Sequence, residues 1–467
     1  MSFAARFFHK PSRVALAALA VFVVALAARL CWVSFVDSPY DNIFSDMGGY
    51  VLRALQAAYG NAPPLPPSIS PPDAHGLAAA AAGVDAWTVQ CPLYPPGAHM
   101  VYAAEMRLVG WTHHAAFLVL NCMWGAIVAP CALLLAVRVV RSLTIATAVG
   151  LWMALWYPLL AFCGFFSSEQ PYAGALALSA WLLVRLVESG KGSVSAGLAA
   201  SVAYLIRPQI VLTLAALTIV GLLILWRRPP RAPRLPVRRL IVAGLILTAT
   251  VGWGAARYHR LSGRWGLISD NSTMTRLWAD TDYGRIVGIW HAPDGHPMTF
   301  FFESPPKAEL GLHRELRFDG YIGDPVQLER ARRNEVHYMT LGDRVKRWVS
   351  NVRLLFVDNA LWPENMHQGD GWRRTADRVT KAILLAVVLP LAFVGLISCV
   401  IRPTIVHVVC AAHVLTMLVV AAFFYAEQRY RVPYDVLLVV LALGGAKALV
   451  SQLAKLSVWT RRRASLP

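Results

Sequence analysis

Apolar runs separated by short gaps rich in Arg, Lys or Pro recur along the chain. A helix rises about 1.5 Å per residue, so roughly 20 apolar residues cross the ~30 Å hydrocarbon layer of a bilayer. The pattern predicts about ten membrane-spanning helices. They fall at roughly residues 14–36, 114–137, 142–162, 172–187, 194–206, 209–226, 240–256, 380–401, 403–424 and 434–450. The first run follows Arg6, Lys10 and Arg13 and resembles a signal peptide. It is too long for a signal-peptide core and reads as a retained span.

Two polar stretches interrupt the pattern. Residues 37–112 contain Ala62-Pro63-Pro64-Leu65-Pro66-Pro67 and cannot form one continuous helix there, because proline removes a backbone donor and clashes with the preceding turn. This stretch holds Cys91-Pro92-Leu93-Tyr94-Pro95-Pro96-Gly97, ahead of a segment with Glu105 and Arg107. Residues 257–378 carry Trp265, Asp270, Arg276, Asp280, Asp282 and a helix-like segment over 324–349, and are long enough for a small domain. The chain thus divides into a transmembrane region 1–256 that includes the loop 37–112, a loop domain 257–378, and a C-terminal transmembrane region 379–467.

Composition agrees with this pattern. Of 467 residues 57% are hydrophobic and 15% charged, so the expected class is an all-α polytopic membrane protein. The net charge of +18 raises nucleic acid as a partner, but the distribution argues against one. The cations crowd into short gaps, above all Arg227-Arg228-Pro229-Pro230-Arg231-Ala232-Pro233-Arg234 and Arg238-Arg239, without interleaved aromatics for bases to stack on. Short loops dense in Arg and Lys stay in the cytoplasm. By parity both termini are then cytoplasmic, and Arg207 and the two polar stretches lie on the outer face of the cytoplasmic membrane. Of the seven Cys, five lie in apolar runs as small hydrophobes. Cys91 and Cys163 are expected to face outward, which leaves a disulfide between them open; no zinc or redox spacing occurs.

Candidate chemistry begins after the first span, in Asp37-Ser38-Pro39-Tyr40-Asp41-Asn42-Ile43-Phe44-Ser45-Asp46-Met47-Gly48-Gly49-Tyr50. Asp46 and Tyr50 fall one helical turn apart on one face. A helix N-terminus favours negative charge, so a carboxylate there can serve as a general base, or as no more than a helix cap. On the expected topology Asp46, with Asp41, shares the outer face with Glu169, Arg207 and Glu427-Gln428-Arg429-Tyr430-Arg431. Charges at span ends are costly unless paired or functional. Glu169 and Glu427 can pair with Arg207, Arg429 or Arg431 as structural ion pairs. The planar fork of Arg also suits phosphate oxygens, so the set suggests a lipid-borne phosphate beside a hydroxyl activated by Asp46.

Five motifs, in order along most of the chain, carry a resemblance. They are Asp46-Met47-Gly48-Gly49-Tyr50, Tyr94-Pro95-Pro96-Gly97, Ser168-Glu169, Ile206-Arg207-Pro208 and Arg429-Tyr430-Arg431-Val432-Pro433. Together they resemble the GT-C membrane glycosyltransferases, in the glycosyltransferase family 39-like branch of protein O-mannosyltransferases and the aminoarabinose transferase of lipid A. The resemblance implies a GT-C fold, a polyprenyl-phosphate sugar as donor, inversion at the anomeric carbon, and Asp46 as catalytic base. Arg207, Arg429 and Arg431 are then expected to hold the donor phosphate. Asp41, Tyr50, Tyr94, Glu169, Glu427 and Tyr430 are expected to support them. The acceptor is expected to be a hydroxyl of a glycan, lipid or protein. Many relatives have Asp-Glu where this chain has Asp46-Met47, so no metal ligand is assigned; a divalent metal is left open, with Asp41 as the acid able to replace the missing one.

Two rival readings use the same residues. A transporter or flippase for a lipid-linked sugar would grip phosphate with the Arg cluster and need no base. Such proteins often show paired halves, and no internal repeat is visible here. A membrane scaffold would make Arg207 and Arg429 dispensable.

Overall fold

The computed structural model describes residues 12–43, 45–60, 92–227, 235–280, 285–291, 297–303, 315–319, 324–357 and 371–464. The proline-rich stretch 62–72, Cys91, residues 228–234 and Asp282 lie outside the described residues.

Helix α1 (Arg13–Phe35) opens the bundle; Ser12 Oγ caps it by accepting from the Ala15 amide at 3.2 Å. Next come α2 (Ser45–Tyr59) and α3 (Gly97–Val109), packed on each other, then α4 (His114–Ala126) and α5 (Val128–Val140). Helix α6 (Leu143–Ala154) is followed by Tyr157–Gly164, which begins with α7 (Tyr157–Ala161) and bends away by 47°. Helices α8 (Glu169–Ser189), α9 (Ser193–Ile206), α10 (Ile210–Arg227) and α11 (Val237–Ser262) complete the first half.

A polar interlude follows: α12 (Asn271–Asp280), strands β1 (Arg285–His291), β2 (Pro297–Glu303) and β3 (Glu315–Asp319), then α13 (Pro325–Val336) and α14 (Leu341–Val357). Helix α15 (Gly371–Ile383) runs through a π-helical turn into α16 (Leu389–Ile401). Last come α17 (Ile405–Phe423), the short α18 (Gln428–Arg431) and α19 (Asp435–Ala464).

Among the described residues seven helices are long and apolar enough to cross a membrane, or eight if the bent pair is one span. The chain is a predominantly helical, multi-pass membrane protein. Every apolar run read from the sequence is helical, but Ser193–Ile206 and Ile210–Trp226 are shorter than the others. The break between them falls at Arg207-Pro208, where proline disfavours helix in the residue before it.

Backbone contact takes the place of side-chain packing where α16 meets α19. A Cβ on Gly395 would overlap the Leu441 carbonyl, and one on Gly445 the Leu391 carbonyl. Lipid supplies little hydrophobic drive between helices, so close small-residue contacts of this kind hold them together.

The two ends of the bundle differ. At one end Arg138 pairs with Glu188 at 2.6 Å, Arg239 donates to the Gly190 carbonyl, and Lys447 donates to the Val139 carbonyl at 2.6 Å. The start of α2, the N-terminus of α8, the C-termini of α9 and α11, and α18 gather at the other end. The interlude is docked there: Asn351 Nδ2 donates to the carbonyls of Ala279 (3.2 Å) and Ala422 (3.3 Å), and the Tyr425 amide donates to the Thr275 carbonyl at 2.9 Å. It has a small core of Leu93, Met274, Leu277 and Leu328.

The helix-like segment expected over 324–349 is helical, in two pieces. That segment forms α13 and α14, broken at 337–340. Asp324 caps α13, its carboxylate accepting from the Val326 amide at 2.9 Å, and Pro325 occupies the first turn, where no amide donor is needed. The three strands, unforeseen from the sequence, pair antiparallel in the order β1-β2-β3, with Ile289 opposite Phe300 and Phe301 opposite Arg317. Cys163, expected to face outward, is buried in the bundle beside Cys122.

Candidate active site

Asp46 stands in the first turn of α2. Its Oδ1 accepts a hydrogen bond from the Tyr94 hydroxyl at 2.8 Å, and its Oδ2 accepts one from Arg429 Nη1 at 3.1 Å. Segments that lie far apart in the chain therefore meet at one carboxylate. That carboxylate keeps contact with solvent: its side chain is 29% exposed, against 11% for Arg429.

Tyr94 is placed by the residues that follow it. Pro95 and Pro96 lead into α3, whose first residue, Gly97, abuts the backbone of Leu205 and Ile206. A side chain at 97 would collide with that backbone, which immediately precedes Arg207. One glycine thus ties the Tyr94 motif to the Arg207 motif. Burial and the negative charge of Asp46 hold the Tyr94 hydroxyl well above its ordinary value, so it remains a donor. The Tyr50 ring lies 5.2 Å from that of Tyr94 and its hydroxyl is likewise pushed up, first by burial and then by Asp46.

Arg429 is shared. Its Nε lies 2.8 Å from Glu427 Oε2, within ion-pair range but not aligned as a hydrogen bond, and its Nη2 donates to the Tyr430 hydroxyl at 3.1 Å. Arg207 occupies a second, more enclosed position. It pairs with Glu169 and donates to Ser168 Oγ at 3.0 and 3.3 Å. Glu169 sits in the first turn of α8, where the helix end favours its charge. The guanidinium carbons of Arg207 and Arg429 lie 5.0 and 4.9 Å from the Tyr430 ring centroid, so this ring links the two cations. Behind it the Tyr172 and Tyr434 hydroxyls are 2.9 Å apart, and Gln209 donates to Tyr434 at 2.8 Å.

Eight of the expected residues therefore meet: Asp46, Tyr50, Tyr94, Glu169, Arg207, Glu427, Arg429 and Tyr430. Two do not. Asp41 is exposed in the turn before α2. Arg431 donates to Asp435 Oδ1 at 2.9 Å, while Trp156 Nε1 donates to the other carboxylate oxygen at 2.7 Å. Residues two apart on a helical turn point about 200° apart, so Arg429 and Arg431 face opposite ways.

Asp37 is the acid that sequence reasoning passed over. It accepts from Asn42 Nδ2 at 2.6 Å and pairs with Arg373 at 3.3 Å, while Asn42 also donates to the Gly164 carbonyl at 3.0 Å. This buried lock ties the connector before α2 to α15. Its only signal in the sequence was a third carboxylate in the same stretch.

As a cation site the cluster does not fit. Asp46 faces a guanidinium, Met47 is fully buried, and among the described residues no three of His, Cys, Asp and Glu gather as metal ligands. The groups present suit anions and hydroxyls: two guanidinium groups and a tyrosine hydroxyl donate, and a partly open carboxylate accepts. Compared with known proteins, the chain matches no family model and no curated protein.

Proposed function

We propose that the chain is an inverting glycosyltransferase of the GT-C type. It moves a sugar from a polyprenyl-phosphate donor to an acceptor hydroxyl on the outer face of the cytoplasmic membrane. The observation that carries this reading is the pairing of a partly open carboxylate, Asp46, with a guanidinium from the last span, Arg429. The family 39-like motifs supply the reaction class. Arg138 and Lys447 lie at the opposite end from Asp46, and cation-rich ends stay in the cytoplasm, which supports an outward-facing site.

Asp46 takes the proton from the acceptor hydroxyl as its oxygen bonds to the sugar's C1. The bond from C1 to the phosphate oxygen breaks, and its electron pair leaves with the polyprenyl phosphate. An oxocarbenium-like transition state accompanies such displacement. Arg429 has two carboxylate neighbours, Asp46 and Glu427. A phosphate oxygen that takes one guanidinium face frees Asp46 to act as base and stabilises the departing charge. Arg207 is compensated by Glu169 and acts one layer back, holding Ser168 and the Tyr430 ring.

The test is incubation of the purified chain in detergent with polyprenyl-phosphate hexoses and candidate acceptors. Detergent abolishes compartments, so transport goes unscored while transfer is read directly. A glycosylated product with inverted anomeric configuration supports the reading; absence of product across donors and acceptors counts against it.

A further inference from the structure

We propose that an open cavity beside Asp46 is a binding site for a phosphate-type anion. The cavity, about 500 Å³, is lined by Arg53, His99, Trp253, Arg257, Arg260 and Leu261 among others. Arg53 lies on α2, two turns beyond Asp46, and His99 in the first turn of α3. Arg257 and Arg260 are three residues apart near the end of α11, hence on one face.

Arg53 Nη1 donates to the Gly49 carbonyl at 3.0 Å, but two other polar atoms here have no hydrogen-bond partner. His99 is buried, and its Nδ1 has no hydrogen-bond partner. Arg257 Nη1 is buried and unpartnered as well, and among the described residues neither Arg257 nor Arg260 pairs with a carboxylate. Buried donors left unmade are costly, and three guanidinium groups around one space repel one another. Burial, then Arg53 and Arg257, push His99 down to about 3. Its neutral ring can donate one N–H without adding charge. A dianion with several acceptor oxygens relieves all of these terms at once, and the planar forks of Arg match phosphate geometry. Trp253 and Leu261 supply an apolar wall for the rest of the ligand.

The contrast with the Asp46 cluster strengthens the assignment. There, the carboxyl groups Asp46, Glu169 and Glu427 stand against the guanidinium groups of Arg207 and Arg429. In the cavity Arg53, Arg257 and Arg260 converge, and none of the described lining residues carries a carboxyl group. The two sites share a wall: Arg53 Cζ lies 5.0 Å from the Tyr94 ring centroid, and the Tyr94 hydroxyl holds Asp46. A phosphate held in the cavity therefore leaves the remainder of the same molecule one aromatic ring from the proposed base. Binding does not depend on the transferase reading and is scored without turnover.

The test uses the full chain in phosphatidylcholine nanodiscs. In one arm inorganic phosphate is titrated; in the other, dioleoyl phosphatidic acid replaces part of the phosphatidylcholine. Tryptophan fluorescence reports binding, with Trp253→Phe identifying the local signal. The expected result is a saturable response at least tenfold weaker in Arg257→Gln and in Arg260→Gln. Arg260 is exposed, so its substitution leaves the fold intact. A response to inorganic phosphate supports the site with a water-borne source, and a response to phosphatidic acid alone supports it with a lipid headgroup as source. No saturable response in either arm, or one unchanged in both variants, overturns the proposal.

Discussion

Replacing Asp435 with Asn separates the structural cation of the last span from the one proposed to meet the donor phosphate. Arg431 and Asp435 are 4% and 1% exposed and 2.9 Å apart, with Trp156 on the second carboxylate oxygen. Removing one member of such a buried pair leaves an uncompensated charge and costs about 3–5 kcal/mol. Asp435→Asn and Arg431→Met are each expected to destabilise by that amount, while Arg431→Met with Asp435→Leu recovers most of it, because a well-packed apolar pair avoids desolvation. Arg429→Gln is expected to cost about 1 kcal/mol or less, since both its carboxylate partners, Asp46 at 29% and Glu427 at 18% exposed, stay in contact with solvent. The assay is unfolding in mixed micelles titrated with SDS, read for the four variants and the wild type. Single losses below about 1 kcal/mol, or a double variant no more stable than either single one, would refute the buried-pair argument.

Three further outcomes follow from named contacts. Tyr94→Phe removes the hydroxyl that holds Asp46 and is expected to lower kcat/KM for sugar transfer roughly tenfold to a hundredfold, the worth of a hydrogen bond to a charged group, with little change in stability. Gly97→Ala forces α3 away from the Leu205–Ile206 backbone; a loss of about 1–3 kcal/mol is expected on SDS unfolding, together with reduced transfer. Burial raises Glu105 to about 8, so the folded chain favours its protonated form. That stability is present in full below about pH 4.5 and is lost as pH rises toward and through 8. Glu105→Gln should flatten the decline in unfolding profiles taken over this window, and an unchanged slope would count against it.

Much of the bundle was readable because span length and apolar content are one-dimensional properties. So was the gathering of charges at one end, since alternation of direction follows from counting spans. The division of labour between Arg429 and Arg431 was not, because it depends on which way a short helical turn faces. Its clue was Asp435, four residues after Arg431 and able to meet it along one helix face. The third carboxylate before α2 was visible, but the Asp37–Arg373 pairing was not, since nothing local links that connector to α15. The cavity cations escaped notice for a mixed reason. Arg257 and Arg260 share a face by spacing alone, yet their meeting with Arg53 and His99 is set by how α2, α3 and α11 pack.

The most direct measurement is the turnover of purified Asp46→Asn against wild type, with a polyprenyl-phosphate sugar and an acceptor. The substitution keeps the side chain's shape and removes its basicity. A base in this position predicts a fall of about 10²–10⁴ in kcat, with the protein still folded and donor still bound. Transfer by Asp46→Asn at the wild-type rate would contradict the account.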